Sequence, residues 1–360
     1  MIQKLWIKHV RNLTEISIDL LDKKHCYIYG DNNQGKTSIL EAISLATEFK
    51  SPIQDDLDKV MQEEKEECIV GMDLNEEEPQ RRYIRFNRNG KKELLKNSKS
   101  TTKKQLQTHF SDYISADALH VFQKEPDYRR KLLDKFCCLK SEEYQQLLRQ
   151  YEKVLRQKNK YLKQEISDNL FIETLNKTLS KVGASLVNKR KEALKEIEEE
   201  INKAKADINF LEETIQIQYE IKRIEIGGCD SYETAFYKTL TADMEKEKIL
   251  KYSLSGPQRD DFTLLINKKY IFDYFSRGIN RSFAILFRLA QLNRLKEKKT
   301  LVCLLLDDTF AEVDDSNKQK LLSYMRKQYQ LFYATTRKDN NFLAHDDQVI
   351  AIHNGVINYE

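Results

Sequence analysis

Gly30-Asp31-Asn32-Asn33-Gln34-Gly35-Lys36-Thr37 decides the reading of this 360-residue chain. It fits the pattern G-x-x-x-x-G-K-[ST]. Its glycines allow successive backbone N–H groups to turn inward as an anion nest, and a helix starting at its end would aim its positive pole at the same place. Lys36 has the reach for β/γ phosphate oxygens, and the Thr37 hydroxyl suits a magnesium ion. The flanks are those the pattern needs. Cys26-Tyr27-Ile28-Tyr29 reads as a short buried strand, and Ile39, Ala42, Ile43 and Ala46 recur at helical spacing from Ser38 to Lys50. The expectation is an ATP and Mg²⁺ site with Gly30, Asp31, Asn32, Asn33, Gln34 and Gly35 wrapping phosphate.

The matching half lies far downstream. Leu301-Val302-Cys303-Leu304-Leu305-Leu306 is an apolar, strand-sized run that ends on Asp307 and Asp308. Such a strand can deliver Asp307 to the metal and Asp308 to the attacking water as general base, with Lys36 on the phosphates. A third element, Phe275-Ser276-Arg277-Gly278, is a Ser-x-Gly turn just before an amphipathic helix (Ser282 to Lys296), where an anion can bind or a plain N-cap can form.

Composition between these ends differs. From about Gln123 to Lys251 helix formers dominate. Leu147, Leu148, Tyr151, Val154 and Leu155 share one face. Val187, Leu194, Ile201 and Ile208 repeat every seven residues and interleave with Arg190, Ile197, Ala204 and Leu211, so Arg190 alone breaks the seam. A helical hairpin packed within the chain is preferred over a dimeric coiled coil. Ile215, Ile217, Tyr219 and Ile221 alternate as one strand. The expected fold is therefore α/β, with a P-loop ATPase head of ABC type assembled from residues 1–120 and 251–360, and a mostly helical, lever-like second domain inserted at 121–250.

Charge adds one further feature. The net charge is only +4, but ten lysines and arginines and a single acid, Glu93, lie between Arg81 and Lys104. Tyr83 to Arg88 followed by Asn89-Gly90 suggests a hairpin with a type I′ turn. Alternation would bury Ile84 and Phe86 and turn Arg81 and Arg85 outward, with Arg88, Lys91 and Lys92 at the tip. A basic hairpin follows phosphates without reading bases, so structure-selective DNA binding is expected; a solubilising edge is the alternative. Arg129 and Arg130 form a second basic cluster of the same ambiguity.

Other chemistry is disfavoured. The six cysteines lack metal-ligand spacing, the histidines form no H-x-x-x-H pair, and charges interrupt the N-terminal apolar residues. The expectation is a cytoplasmic protein with free thiols, no signal peptide and no membrane partner.

Several stretches together resemble the RecF family of ABC/SMC-type ATPases: Arg11-Asn12 before the P-loop, Leu40-Glu41-Ala42 after it, Pro126-Asp127-Tyr128-Arg129-Arg130-Lys131-Leu132-Leu133-Asp134, Gln157, Asn159 and Leu162, Leu254-Ser255-Gly256-Pro257-Gln258-Arg259-Asp260-Asp261, and Leu306-Asp307-Asp308 with Glu312-Val313-Asp314-Asp315. The resemblance implies a weak, DNA-responsive ATPase of gap repair that binds gapped, single- and double-stranded DNA. It implies a homodimer on ATP, with Ser276 and Gly278 meeting the other subunit's nucleotide and Asp314 in the D-loop. It also adds Arg11 to the nucleotide site and RecR, RecO and RecA loading to the function. Ile279 stands where the family has glutamine, Ala311 where it has serine, and Gln123 is a candidate metal-sensing glutamine. A divergent SMC-like or defence-associated DNA-binding ATPase without a loader role is the alternative.

Overall fold

A computed structural model describes all residues except 21, 76–78, 103, 104, 106–108, 121, 123, 124, 165–167, 228–230 and 297–300. Gln123 and part of the basic run, Lys103 and Lys104, thus lie outside the described residues. The chain divides into two compact units.

Unit 1 comprises Met1–Leu119, Asp207–Phe210 and Lys296–Glu360. Its first sheet is antiparallel and contains β1 (Ile2–Val10), β2 (Leu13–Asp19), β4 (Glu67–Leu74), β5 (Gln80–Asn87), β6 (Lys92–Lys96) and β7 (Lys99–Ser100), in the order β2-β1-β4-β5-β6-β7. Its second sheet contains β3 (His25–Tyr29), β8 (His109–Ser115), β12 (Leu301–Asp307), β13 (Gln330–Thr335), β14 (Gln348–His353) and β15 (Val356–Tyr359), in the order β15-β14-β3-β13-β12-β8. All pairs in it are parallel except β14·β15. Helix α1 (Lys36–Glu48) touches β1 and β4 of one sheet and β8, β12 and β13 of the other. It is therefore buried nearly all round, which explains Ile39, Leu40, Ala42, Ile43, Leu45 and Ala46 as a continuous apolar helix.

The alternation read from the sequence holds in β2 and β5. Ile16 and Ile18 are buried, as are Ile84 and Phe86, while Arg81 and Arg85 face solvent. The hairpin turn differs from the expected type I′. Gly90 N–H donates to Asn87 O at 3.0 Å, Asn87 N–H donates to Lys91 O at 3.1 Å, and only Gly90 (φ 74°) takes positive φ. This is a three-residue loop closed by a glycine bulge, which leaves Asn89 in ordinary backbone space.

Unit 2 comprises His120–Ala206 and Leu211–Leu295. Its helices are α2 (Pro126–Lys140), α3 (Glu142–Tyr161), α4 (Asn169–Asp207), α5 (Tyr232–Ala242), α6 (Met244–Leu250), α7 (Ile271–Tyr274) and α8 (Arg277–Lys296). A three-stranded antiparallel sheet, β11-β10-β9, joins β9 (Ile215–Glu220), β10 (Asp261–Ile266) and β11 (Lys269–Tyr270). Helix α4 has 39 residues, about 58 Å at 1.5 Å per residue. Val187, Leu194, Ile197, Ile201 and Ala204 of its heptad seam are buried within the chain. The expected boundary at 250 differs from the observed division at 295/296. Residues 251–295 stay in unit 2 because β10 pairs with β9 along Asp261–Ile266 and α2 packs on β10.

Candidate nucleotide site and nucleic-acid interface

The P-loop springs from the end of β3 and closes into α1. Gly35, at the helix N-cap, has φ 116°. A Cβ there would lie 2.7 Å from a Leu13 methyl, and one at Gly30 would lie 2.3 Å from Ile352 O. Both positions need glycine for close approach as much as for backbone freedom. Asn12 braces the loop, its Nδ2 donating to Asn33 O at 3.2 Å and its Oδ1 accepting from Ser38 Oγ at 3.0 Å. Gln34 holds the β14–β15 turn, its carbonyl accepting from Gly355 N–H at 3.0 Å and its side chain from Asn354 N–H. Lys36 Nζ donates to Gly30 O (2.7 Å) and Asp31 O (2.8 Å), inside the loop where phosphate oxygens would compete for it.

Residues 270 apart in sequence meet beside the loop: Thr37 Oγ1 donates to Asp307 Oδ2 at 2.8 Å. Tyr113 OH donates to the same oxygen at 2.6 Å. Burial, then Asp307, push the Tyr113 phenol well above its ordinary range, so it remains a donor. Asp308 follows with φ 46°, its N–H on Ala334 O at 3.0 Å. Burial and the adjacent Asp307 raise its carboxyl pKa, with Lys36 and hydrogen bonds from Thr336 and Thr335 opposing. A raised carboxyl near a lysine suits proton transfer.

The donor set fits both groups the fold implies. The glycine cradle and Lys36 suit a triphosphate. Thr37 and Asp307 supply the hard oxygens magnesium takes from protein, with phosphate and water supplying the rest. Among the described residues, no cluster of three or more His, Cys, Asp or Glu could hold a metal by itself.

The other candidates separate by partner. Arg11 is paired with Glu41, a carboxylate wholly buried on α1, and that hydrogen bond raises the guanidinium pKa. Ser276 is exposed just before α8, its carbonyl accepting from Asn280 N–H at 2.9 Å, and Gly278, the second residue of the helix, is half-buried. Asp314 caps α9 (Asp315–Gln328), accepting from Asn317 N at 3.0 Å and Nδ2 at 2.7 Å; the bond from the Asn317 backbone lowers its pKa.

The basic clusters diverge. On the hairpin Lys91 and Lys92 are exposed. Arg81 is held by Asp73 (2.9 and 3.0 Å) and lies over Trp6 at 4.7 Å. Arg85 lies between Glu67 (3.1 Å) and Glu93 (3.6 Å), and Arg88 donates to Lys65 O at 2.8 Å. Arg129 and Arg130 are turned inward, contrary to their expected part in a DNA surface. The Arg129 side chain, 12% exposed, forms a fork on Asp261 (2.8 and 2.7 Å), and Arg130 donates to Asp260 O at 2.7 Å. Neither guanidinium is offered to a phosphate.

That inward turn belongs to a wider cluster built on Leu254–Asp261. Arg190, the heptad break, is buried and donates to both Asp134 oxygens (2.9 and 2.8 Å) and to Pro257 O (2.7 Å). Asp260 accepts from Tyr219 OH and Lys222 N–H, both at 3.0 Å. Gly256 (φ 126°) has no room for a Cβ beside Tyr151 and Phe236. Sequence reasoning quotes Asn12 only within a family stretch and gives it no role, and it misses Tyr113 and the Asp134–Arg190 fork. A lone charge in an apolar seam was a usable signal for the last of these.

A P-loop at the end of a parallel strand, with an acid-tipped strand two places away in the sheet, defines an ATPase head of ABC type. The AAA-domain family profile matches residues 4–225. DNA replication and repair protein RecF of Clostridium kluyveri is 30% identical, with 94% of this chain and 93% of the relative covered. That of Ligilactobacillus salivarius is 28% identical over 100% of this chain and 97% of its own. A solved structure of the recombination mediator protein RecF with ATP superposes with a TM-score of 0.82, at 23% identity, over 100% of this chain and 97% of that one. The chain belongs to the RecF family. Among the described residues no helix is long and apolar enough to cross a membrane.

Proposed function

We propose that this chain is an ATP-dependent DNA-binding protein of recombinational repair at single-strand gaps, with a weak ATPase that responds to DNA. The carrying observation is the Thr37–Asp307 hydrogen bond of 2.8 Å, which joins the two halves of the nucleotide motif. Bound Mg²⁺ would neutralise phosphate charge between Thr37 and Asp307. Lys36 leaves the Gly30 and Asp31 carbonyls for β/γ oxygens, Asp308 takes the proton of the attacking water, and Asn12 and Gln34 hold the loop's shape. The exposed Ser276 and the neighbouring Gly278 reach the nucleotide of a second subunit, so ATP closes a two-fold homodimer. Ile279 and Ala311 make that dimer more transient. RecR and RecO are the expected partners, and helping to load RecA the expected outcome.

The test is ATP binding and turnover with and without gapped DNA, alongside sedimentation in saturating ATP. Asp308→Asn is expected to bind ATP, lose turnover and sediment as a dimer; Ser276→Arg in that background returns it to monomer without losing ATP, and Ile279→Gln tightens the pair. Wild-type turnover in Asp308→Asn removes the base assignment. A dimer indifferent to Ser276→Arg removes the sandwich.

A further inference from the structure

We infer that Tyr113 is a positioning residue for the cation: its hydroxyl holds one oxygen of Asp307 so that the other is left for the metal. The inference rests on the Mg²⁺–ATP reading above.

The register explains the contact. On β8 and β12, Tyr113 pairs with Leu305 and Ser115 with Asp307. Side chains two apart share a face, so Tyr113 and Asp307 are diagonal neighbours. A tyrosine is long enough to span that diagonal, and its hydroxyl reaches Asp307 Oδ2 at 2.6 Å. The backbone around Tyr113 is fixed, because Thr309 Oγ1 donates to Ile114 O at 2.6 Å and Ala116 N–H to Asp307 O at 3.1 Å.

Oxygen accounting gives the consequence. Tyr113 OH (2.6 Å) and Thr37 Oγ1 (2.8 Å) both donate to Oδ2. A carboxylate oxygen offers two lone pairs, so these donors fill Oδ2 and leave Oδ1 the open acceptor. Thr37 spends its single proton on Asp307 and keeps its lone pairs for a cation. Without the phenol, one lone pair of Oδ2 opens to compete with Oδ1, and Thr37 alone is left to hold the carboxylate's last torsion. Partners that orient a metal-binding carboxylate are commonly worth about 10–100-fold in metal affinity.

The experiment titrates Mg²⁺ into protein with a fluorescent ATP analogue, for wild type, Tyr113→Phe and Asp307→Asn, and repeats the titration with Mn²⁺ read by electron paramagnetic resonance. Tyr113→Phe is expected to raise the half-saturating concentration of either cation about 10-fold and to leave cation-free nucleotide affinity unmoved. Asp307→Asn should shift it further. An unmoved midpoint in Tyr113→Phe, with wild type clearly dependent on cation, overturns this inference alone. Parallel loss of cation-free affinity assigns Tyr113 to general packing and also overturns it. Wild-type nucleotide binding indifferent to both cations would remove the underlying reading, and the inference with it.

Discussion

Two polar clusters of this molecule look alike in sequence and differ in how their valences are spent. Around Leu254–Asp261 in unit 2, Arg190 is answered by Asp134, Arg129 by Asp261, and Asp260 by Tyr219 and Lys222. Around the P-loop in unit 1, Lys36 rests on two backbone carbonyls, both side-chain donors to Asp307 fall on one oxygen, and Asp308 sits in left-handed backbone space. The first cluster is closed on itself and contributes to holding a fold. The second keeps groups that a ligand can claim. Motif strength alone does not separate these cases; hydrogen-bond saturation does.

The sharpest test of the contrast is Arg190→Met. It takes the guanidinium from Asp134, leaving Tyr144 OH as a donor there, and should cost about 3–5 kcal/mol, read as a lower urea midpoint with an unchanged slope. Asp134→Leu added to it should recover part of the loss. Recovery absent, or a loss below 1 kcal/mol, would mean the cluster is not structural. Lys36→Met is the opposite case. It should weaken ATP about 100-fold, the scale of one charge-assisted contact, while the urea midpoint barely moves. A variant that loses stability and keeps ATP would reverse the two clusters' roles.

Acid offers a third contrast, because the Arg190 cluster is built without histidine. In unit 1 burial, then Arg326 and to a lesser degree Lys24, push His25 down from 6.5 to about 4, with Asp347 and Asp346 opposing. The folded form keeps His25 neutral while the unfolded chain protonates it, so this stability is full above pH 6.5 and drains as pH falls toward 4. About 3 kcal/mol is expected, and His25→Gln should flatten that part of the pH–stability curve. An unchanged acid limb would place the sensitivity elsewhere.

The smallest effect concerns the two basic clusters. Lys91→Glu with Lys92→Glu should lower DNA affinity for every sequence and reduce the salt slope by roughly 2, about one unit per lost phosphate contact. Arg129→Ala should lower stability and leave the salt slope of the folded protein unchanged. Equal slopes for wild type and the lysine pair would assign the hairpin to solubility.

What could be read in advance follows the range of the interaction. The P-loop, its strand and helix, the β5 alternation and the α4 seam are set by neighbours a few residues apart, and their patterns are visible in a string. The inward turn of Arg129 and Arg130 depends on Asp260 and Asp261, more than a hundred positions away, and a run of basic residues looks the same whether or not acids face it. The 295/296 division depends on β10 finding β9. The turn at Gly90 departs from the type I′ expectation because Asn-Gly serves two loop lengths, and the register decides between them. Tyr113 was invisible because its role lies in a strand alignment.

Strand β3 carries the phosphate loop, and its neighbours in the sheet are β13 and β14, with Ile352 walling in Gly30. Both neighbours are synthesised roughly 300 residues later, which at 5–20 residues per second is about 15–60 s on the ribosome. Through that interval the segment meant for the sheet's centre has nothing to pair with. The phosphate loop thus acquires its final shape only once residues roughly 300 positions downstream are made, so a chain that lacks β13 and β14 lacks the walls of its nucleotide loop.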